Sequence, residues 1–156
     1  MPTHAEQRLL PYTPRQLFDL VADVERYPEF LPWCVASRIT RREGNVLYAD
    51  LVVGFSMARE KFTSKVTLAP PGENGSGRID VTYLDGPFRY LNNHWIFDPA
   101  GESSCRIDFY IDFAFHSAFL QRIMGALFNE AVRRMVSAFE TRARRVYGPG
   151  AQTAPP

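Results

Sequence analysis

Residues 117–147 constrain this chain more than any other stretch. Leu120, Ile123, Met124, Leu127, Phe128, Ala131, Val132, Met135, Val136, Phe139, Ala143 and Val146 recur at i, i+3, i+4 and i+7, which predicts one amphipathic helix with a single buried face. Ser117 stands where an N-cap side chain would accept a backbone N–H, and Gly148 where a helix stops. Arg142, Arg144 and Arg145 complement the negative end of the helix dipole. At ~1.5 Å per residue the element is roughly 45 Å long, so its apolar stripe needs a broad, curved partner.

Upstream, the pattern changes twice. Residues 4–10 fit a short strand, and Thr13 followed by Pro14 is an N-cap with proline at the first helical position, which predicts a short helix over 15–23 packed on an edge. Tyr27-Pro28-Glu29-Phe30-Leu31-Pro32-Trp33-Cys34 sets two prolines among three aromatics, so a compact turn with exposed or half-exposed rings is expected there. From 35 to 115 the apolar residues alternate. Breaks fall at Glu43-Gly44-Asn45, Gly54-Phe55-Ser56, 70–77, Asp85-Gly86-Pro87 and 99–103, which gives about six strands joined as hairpins. Cys105, Ile107, Phe109, Ile111, Phe113 and Phe115 share one face, with Arg106, Asp108, Tyr110 and Asp112 on the other, as expected for a sheet with one wet and one covered side. The fold class is therefore α+β, an antiparallel sheet of six to seven strands curved around the long C-terminal helix. Residues 1–148 form the folded domain, and 149–156, rich in proline and small residues, form a disordered tail. A lone helix ~10 Å wide cannot fill the hollow of such a sheet, so a groove or tunnel is expected between them.

Composition narrows the function classes. With 46% apolar and 13% aromatic residues the chain can build a sizeable core. Its net charge of +1 gives no global field for nucleic acid, and no DNA partner is expected. Cys34 and Cys105 form no CxxC or dense framework, so reduced thiols in a cytosolic setting are expected. Neither a signal-peptide core nor an apolar run of spanning length is present.

Chemistry-bearing motifs are sparse. His4, His94 and His116 lie at no metal-ligand spacing, and no metal site or catalytic constellation can be read. Gly72, Gly75 and Gly77 sit in a hairpin with no helix following, which reads as a turn rather than a phosphate loop. Asn74-Gly75-Ser76 matches a glycosylation acceptor without a secretory signal. More telling are polar residues on covered faces, namely Asn93 among Leu91, Trp95 and Phe97, and Glu60 and Ser64 beside Phe62, Val66 and Leu68. Left unpaired when buried, such groups cost about 1–3 kcal/mol. They either bond to one another, turn outward at a bulge, or line a cavity and meet the polar head of an apolar ligand. Apolar residues also crowd the turns, including Phe30, Leu31, Trp33, Phe55, Leu84, Pro87 and Phe88, where they fold back on the core or rim an opening.

Four separated segments, Tyr27 to Cys34, Gly86-Pro-Phe-Arg-Tyr-Leu-Asn-Asn-His-Trp-Ile-Phe97, Phe113-Ala-Phe-His-Ser117 and Phe139-Glu-Thr-Arg-Ala-Arg-Arg-Val-Tyr-Gly148, resemble the coenzyme Q-binding protein family. That family is a branch of the START-like, or polyketide cyclase/dehydrase-like, superfamily with the helix-grip fold. The resemblance implies non-catalytic binding of ubiquinone or a similar polyprenyl lipid in a hydrophobic tunnel, in support of respiratory electron transfer and quinone biosynthesis. No resident cofactor is required, and ubiquinone is the bound ligand. Pro32, Trp33, Leu91, Trp95 and the inner-face residues Leu120, Met124 and Leu127 carry over as ligand contacts, and the covered faces add Leu51, Phe55, Phe62, Ser64, Asn93, Phe109 and Phe113. Without the presequence of mitochondrial members, the chain is expected to be bacterial and cytoplasmic or peripheral to the inner membrane. A bacterial relative in this branch is described as a toxin that blocks association of ribosomal subunits. That implies an alternative in which Arg41, Arg42 and the arginines of 142–145 contact ribosomal RNA. An aromatase or cyclase-type enzyme is a third reading, by superfamily analogy.

Overall fold

The computed structural model describes residues 3–55, 58–72 and 75–149, without the side chains of 55, 58 and 123–129. Seven strands form one antiparallel sheet in the order β1-β7-β6-β5-β4-β3-β2. They are β1 (Thr3–Leu10), β2 (Cys34–Glu43), β3 (Val46–Phe55), β4 (Ala58–Ala69), β5 (Gly77–Asp85), β6 (Phe88–Pro99) and β7 (Cys105–Phe115). Helix α1 (Pro14–Ala22) and a 3-10 helix (Val24–Glu29) follow β1, and α2 (Ala118–Tyr147) ends the fold. This is the α+β helix-grip arrangement. The tail expected over 149–156 lies, beyond 149, outside the described residues.

Local chemistry fixes the helix ends. At α1 the Thr13 hydroxyl accepts from the Gln16 N–H at 3.1 Å, and the Gln16 side chain accepts from the Thr13 N–H at 2.9 Å, a reciprocal cap behind Pro14. Ser117 caps α2 by accepting from the Leu120 N–H at 3.2 Å, and Gly148 ends it at φ 87°, its N–H donating to the Arg144 carbonyl at 2.9 Å. Tyr12 donates to the Gly148 carbonyl at 2.6 Å and Tyr147 to the Gln16 carbonyl at 2.9 Å, which joins the C-terminal end of α2 to α1. Farther along α2, Arg8 of β1 reaches Glu140 at 2.9 Å and the Ser137 hydroxyl at 2.9 Å.

One expectation changes here, and another holds in part. The hollow of the sheet is not spanned by a lone helix: α1 packs against β5, β6, β7 and α2, with Leu17 and Phe18 buried and the Phe18 ring edge-on to Phe97 at 5.8 Å. The 27–34 segment keeps the expected half-exposed rings at Tyr27 and Phe30, but Trp33 is buried. Pro28 sits inside the 3-10 helix, and the chain then folds back so that Leu31 and Trp33 are buried and only Pro32 is exposed. The Gly54 N–H donates to the Trp33 carbonyl at 2.9 Å, and the Leu31 N–H to the Tyr27 carbonyl at 2.9 Å. Buried backbone groups must be paired, and these bonds pair them while holding the Trp33 turn against β3.

Candidate functional site

Between the inner face of the sheet, the 3-10 helix and the C-terminal half of α2 lies an apolar cavity of about 80 Å³. Strand register places its wall. Leu51 of β3 pairs with Phe62 of β4, and Val66, Val81, Asn93 and Ile111 form one row across β4 to β7. One pleat along, Ile79 pairs with Trp95. Because alternate residues of a strand share a face, all of these point inward. Val24, Tyr27 and Trp33 close the cavity on one side, and Val132, Met135 and Phe139 of α2 close it from above. Phe139 is the centre of the lid, with its ring 5.5 Å from Tyr27, 5.1 Å from Phe30 and 5.1 Å from Trp95. Its partners approach edge-on, the favoured aromatic geometry.

Three polar side chains interrupt this lining. Ser64 is 2% exposed. Asn93 donates from Nδ2 to the Tyr110 carbonyl at 2.8 Å, so its amide is anchored to β7 while the side chain borders the cavity. The Tyr27 hydroxyl donates to the Val21 carbonyl, and burial pushes its phenol far above the ordinary range, with Cys34 and Asp23 nearby adding to the shift. It stays a neutral donor at any physiological pH. Glu60, expected on the covered side, is half-buried and pairs in register with Val53, outside the cavity wall.

Of the expected contacts, Trp33, Leu51, Phe62, Ser64, Leu91, Asn93 and Trp95 come together here. Phe109 and Phe113 are buried but lie behind the lining: Phe109 packs on Trp95 at 4.6 Å, and Phe113 on Phe88 at 6.0 Å. Leu120 is half-buried near the start of α2, away from the cavity, and Pro32 is exposed in a surface groove with Phe30, Arg134 and Arg145. The side chains of Phe55, Met124 and Leu127 lie outside the described residues. Sequence reasoning missed Val24, Tyr27, Val66, Ile79, Val81, Ile111, Val132, Met135 and Phe139 as lining residues. The alternation put the strand residues on the covered face, but only cross-strand register says which pleat rows lie under the cavity.

Among the described residues the cavity is smaller than the expected tunnel, and Val24 and Tyr27 of the 3-10 helix share the hollow with α2. A void of ~150 Å³ is what admits a benzene-sized guest, so a larger ligand enters only if α2 or wall side chains move apart. No Cys, His or Lys is among the described residues of the lining. Burial pushes the Cys34 thiol up to about 11 and the Cys105 thiol up to about 12, so neither supplies a thiolate near neutral pH. Among the described residues no three His, Cys, Asp or Glu side chains gather as a metal site, and no described helix is long and apolar enough to cross a membrane.

Comparison with known proteins follows this geometry. A family model described as polyketide cyclase / dehydrase and lipid transport matches residues 10–140. The ribosome association toxin RatA of Pseudomonas aeruginosa is 38% identical over 149 residues, which is 95% of this chain and 100% of that protein. The mitochondrial coenzyme Q-binding protein COQ10 homolog B of Xenopus laevis is 32% identical across 93% of this chain and 59% of its own length. A START superfamily protein from Mycobacterium smegmatis superposes with a TM-score of 0.74 at 17% identity, covering 92% of this chain and 98% of that one, a likeness of fold alone.

Proposed function

Because the chain belongs to the polyketide cyclase/dehydrase and lipid transport family, a fold shared by binders and cyclases alike, we propose that it is a non-catalytic carrier that takes up a polyprenyl quinone such as ubiquinone. The supporting observation is the cavity under α2, apolar on nearly every side and interrupted by Ser64, Asn93 and Tyr27. Apolar walls would take the isoprenoid part and the polar groups would orient the ring, the usual division of labour in a ligand site. At ~0.8 kcal/mol per buried methylene-sized group, one five-carbon unit contributes about 3–4 kcal/mol before ordering costs, against about 0.5–1.5 kcal/mol for a neutral hydrogen bond to the head. The tail dominates affinity, and discrimination among head groups is modest. The likeness to a coenzyme Q-binding protein supports the choice of quinone.

The test uses the chain's own reporters. Both of its tryptophans, Trp33 and Trp95, line the cavity. Titration with ubiquinones carrying one, two and four isoprenoid units is expected to quench their fluorescence, with affinity rising at each step until capacity is reached. Absence of quenching, together with only ligand-free protein in native mass spectrometry after gentle extraction, overturns the proposal.

A second reading is ribosome association. It is favoured by relatives of that name which match over 90% or more of their own length at 35–38% identity. Both readings can hold for one molecule, since the cavity lies on the inner face of the sheet and leaves the outer face uncovered. Co-sedimentation with separated ribosomal subunits at physiological salt tests it, and a chain that stays in the supernatant with both subunits refutes it.

A further inference from the structure

The outer face of the sheet is divided by charge. On β2, β3 and β4, register sets Arg41 beside Tyr48 and Lys65, Arg38 beside Asp50 and Thr63, Val52 beside Lys61, and Gly54 beside Arg59. These residues alternate with the buried Leu47, Ala49, Leu51, Val53, Phe62 and Val66, so all five cations project from one side. The carboxylates within this area are Asp50, which holds the Thr63 hydroxyl at 2.7 Å and lies 3.8 Å from Arg38, and Glu43, 3.6 Å from Arg41. Among the described residues no ion pair engages Arg59, Lys61 or Lys65. On β5, β6 and β7 the balance reverses: Asp80, Asp98, Asp108 and Asp112 outnumber Arg78 and Arg106.

We propose that the β2–β4 outer face is a docking surface for the phosphate backbone of folded RNA. Successive outward residues on a strand lie about 7 Å apart and neighbouring strands about 4.8 Å apart, so Arg59, Lys61 and Lys65 line one strand and Arg38 and Arg41 stand two strands away. That is a flat field of cations on a rigid scaffold. Arg41 lies over the Tyr48 ring at 4.2 Å, which holds its guanidinium close to the sheet. Thr63 and Thr67 share the face, and short hydroxyl side chains add phosphate donors. Phosphate contacts of this kind supply affinity without reading bases. An anionic membrane is the weaker fit, because binding to a lipid surface grows with the apolar area inserted as well as with charge. Its large exposed hydrophobes among the described residues are two and lie at its margins, Leu84 on β5 and Val35 at the bulge that opens β2.

The same geometry removes most of the arginines that the sequence suggested for this task. Arg142 is only 12% exposed and bound to Glu29 at 2.6 Å, and Arg144 is 3.3 Å from Glu140. Arg42 falls in register with Leu47, off the outer row. For the choice of RNA over another polyanion the proposal rests on the ribosome reading.

The experiment measures fluorescence anisotropy of a labelled RNA hairpin of mixed sequence with the full chain, the Lys61→Glu/Lys65→Glu variant and an Arg133→Glu/Arg134→Glu variant on α2. Parent affinity is expected to fall with added salt. The β4 double variant should bind at least tenfold more weakly, with a salt slope reduced by about 2 at roughly 0.9 per phosphate contact. The α2 variant should bind like the parent, and both variants should keep the parent's thermal midpoint. Equal binding by parent and β4 variant, an equal loss in the α2 variant, or association with phosphatidylglycerol vesicles but not RNA overturns the proposal. Hairpin binding that depends on Lys61 and Lys65, without sedimentation on either subunit, upholds the surface and removes the ribosome as its target. Sedimentation on a subunit that the β4 variant retains in full does the reverse.

Discussion

The two faces of β4 carry opposite kinds of information. Inward, Phe62, Ser64 and Val66 are buried against neighbours from several strands, so their identity is dictated by shape and by the need to pair buried polar atoms. Outward, Arg59 and Lys61 stand in water and Lys65 is half-buried, and nothing in the packing requires a positive charge at those positions. A substitution on the first face is felt through stability and the cavity. On the second it is felt through whatever binds there.

The sharpest way to break that contrast is at Phe139, where the lid of the cavity meets the wall. Its ring is 2% exposed and touches Tyr27, Phe30 and Trp95. Phe139→Ala is expected to cost about 3–5 kcal/mol, a drop of roughly 10 °C or more in thermal midpoint for a domain of this size. Should the variant fold with less than about 1 kcal/mol of loss in urea unfolding, the α2 contact is not what holds the inner face together.

Much of this was legible beforehand, and the limits are physical. The caps Thr13 and Ser117, the stop at Gly148 and the alternation along β7 depend on neighbours within a few residues, so sequence spacing located them. The path of 27–34 is set by long-range partners: the Gly54 N–H that donates to the Trp33 carbonyl, and the Phe139 ring over Tyr27 and Phe30. No local pattern records these. The same reason explains why Phe109 and Phe113 looked like ligand contacts. Inward-facing residues of one strand are equivalent in sequence, and only the placement of α1 and α2 above them separates lining from foundation.

A smaller effect is expected at Gly86, between the two faces. At φ 146° a Cβ there would sit 2.5 Å from the Phe62 Cβ and 2.9 Å from its Cα, so neither the backbone conformation nor the space suits a side chain. Gly86→Ala should cost about 2–3 kcal/mol. Because Phe62 lines the cavity, it should also alter quinone quenching of the tryptophans, whereas reversal of Lys61 and Lys65 should leave quenching untouched. An unchanged quench in Gly86→Ala would mean that the wall near Phe62 is not where the ligand sits.

The smallest effect lies on the seam where the surface of α2 meets the 3-10 helix. Arg142 binds Glu29 at 2.6 Å and lies over the Phe30 ring at 4.9 Å, so one guanidinium makes a contact that depends on pH and another that does not. The hydrogen bond from Arg142 holds the Glu29 carboxyl below its usual value of 4.5. A carboxyl lowered in the folded state contributes stability in full above its unfolded value, and loses it as the pH falls through the folded value. In urea titrations the gap between the parent and Arg142→Gln should therefore be widest at neutral pH and narrow below about pH 4.5, without closing. The gap left in acid measures packing on Phe30, and the part that vanishes measures the ion pair with Glu29. A gap that is constant from pH 7 to pH 3 would assign all of it to the ring, making this seam an extension of the apolar inner face rather than of the charged outer one.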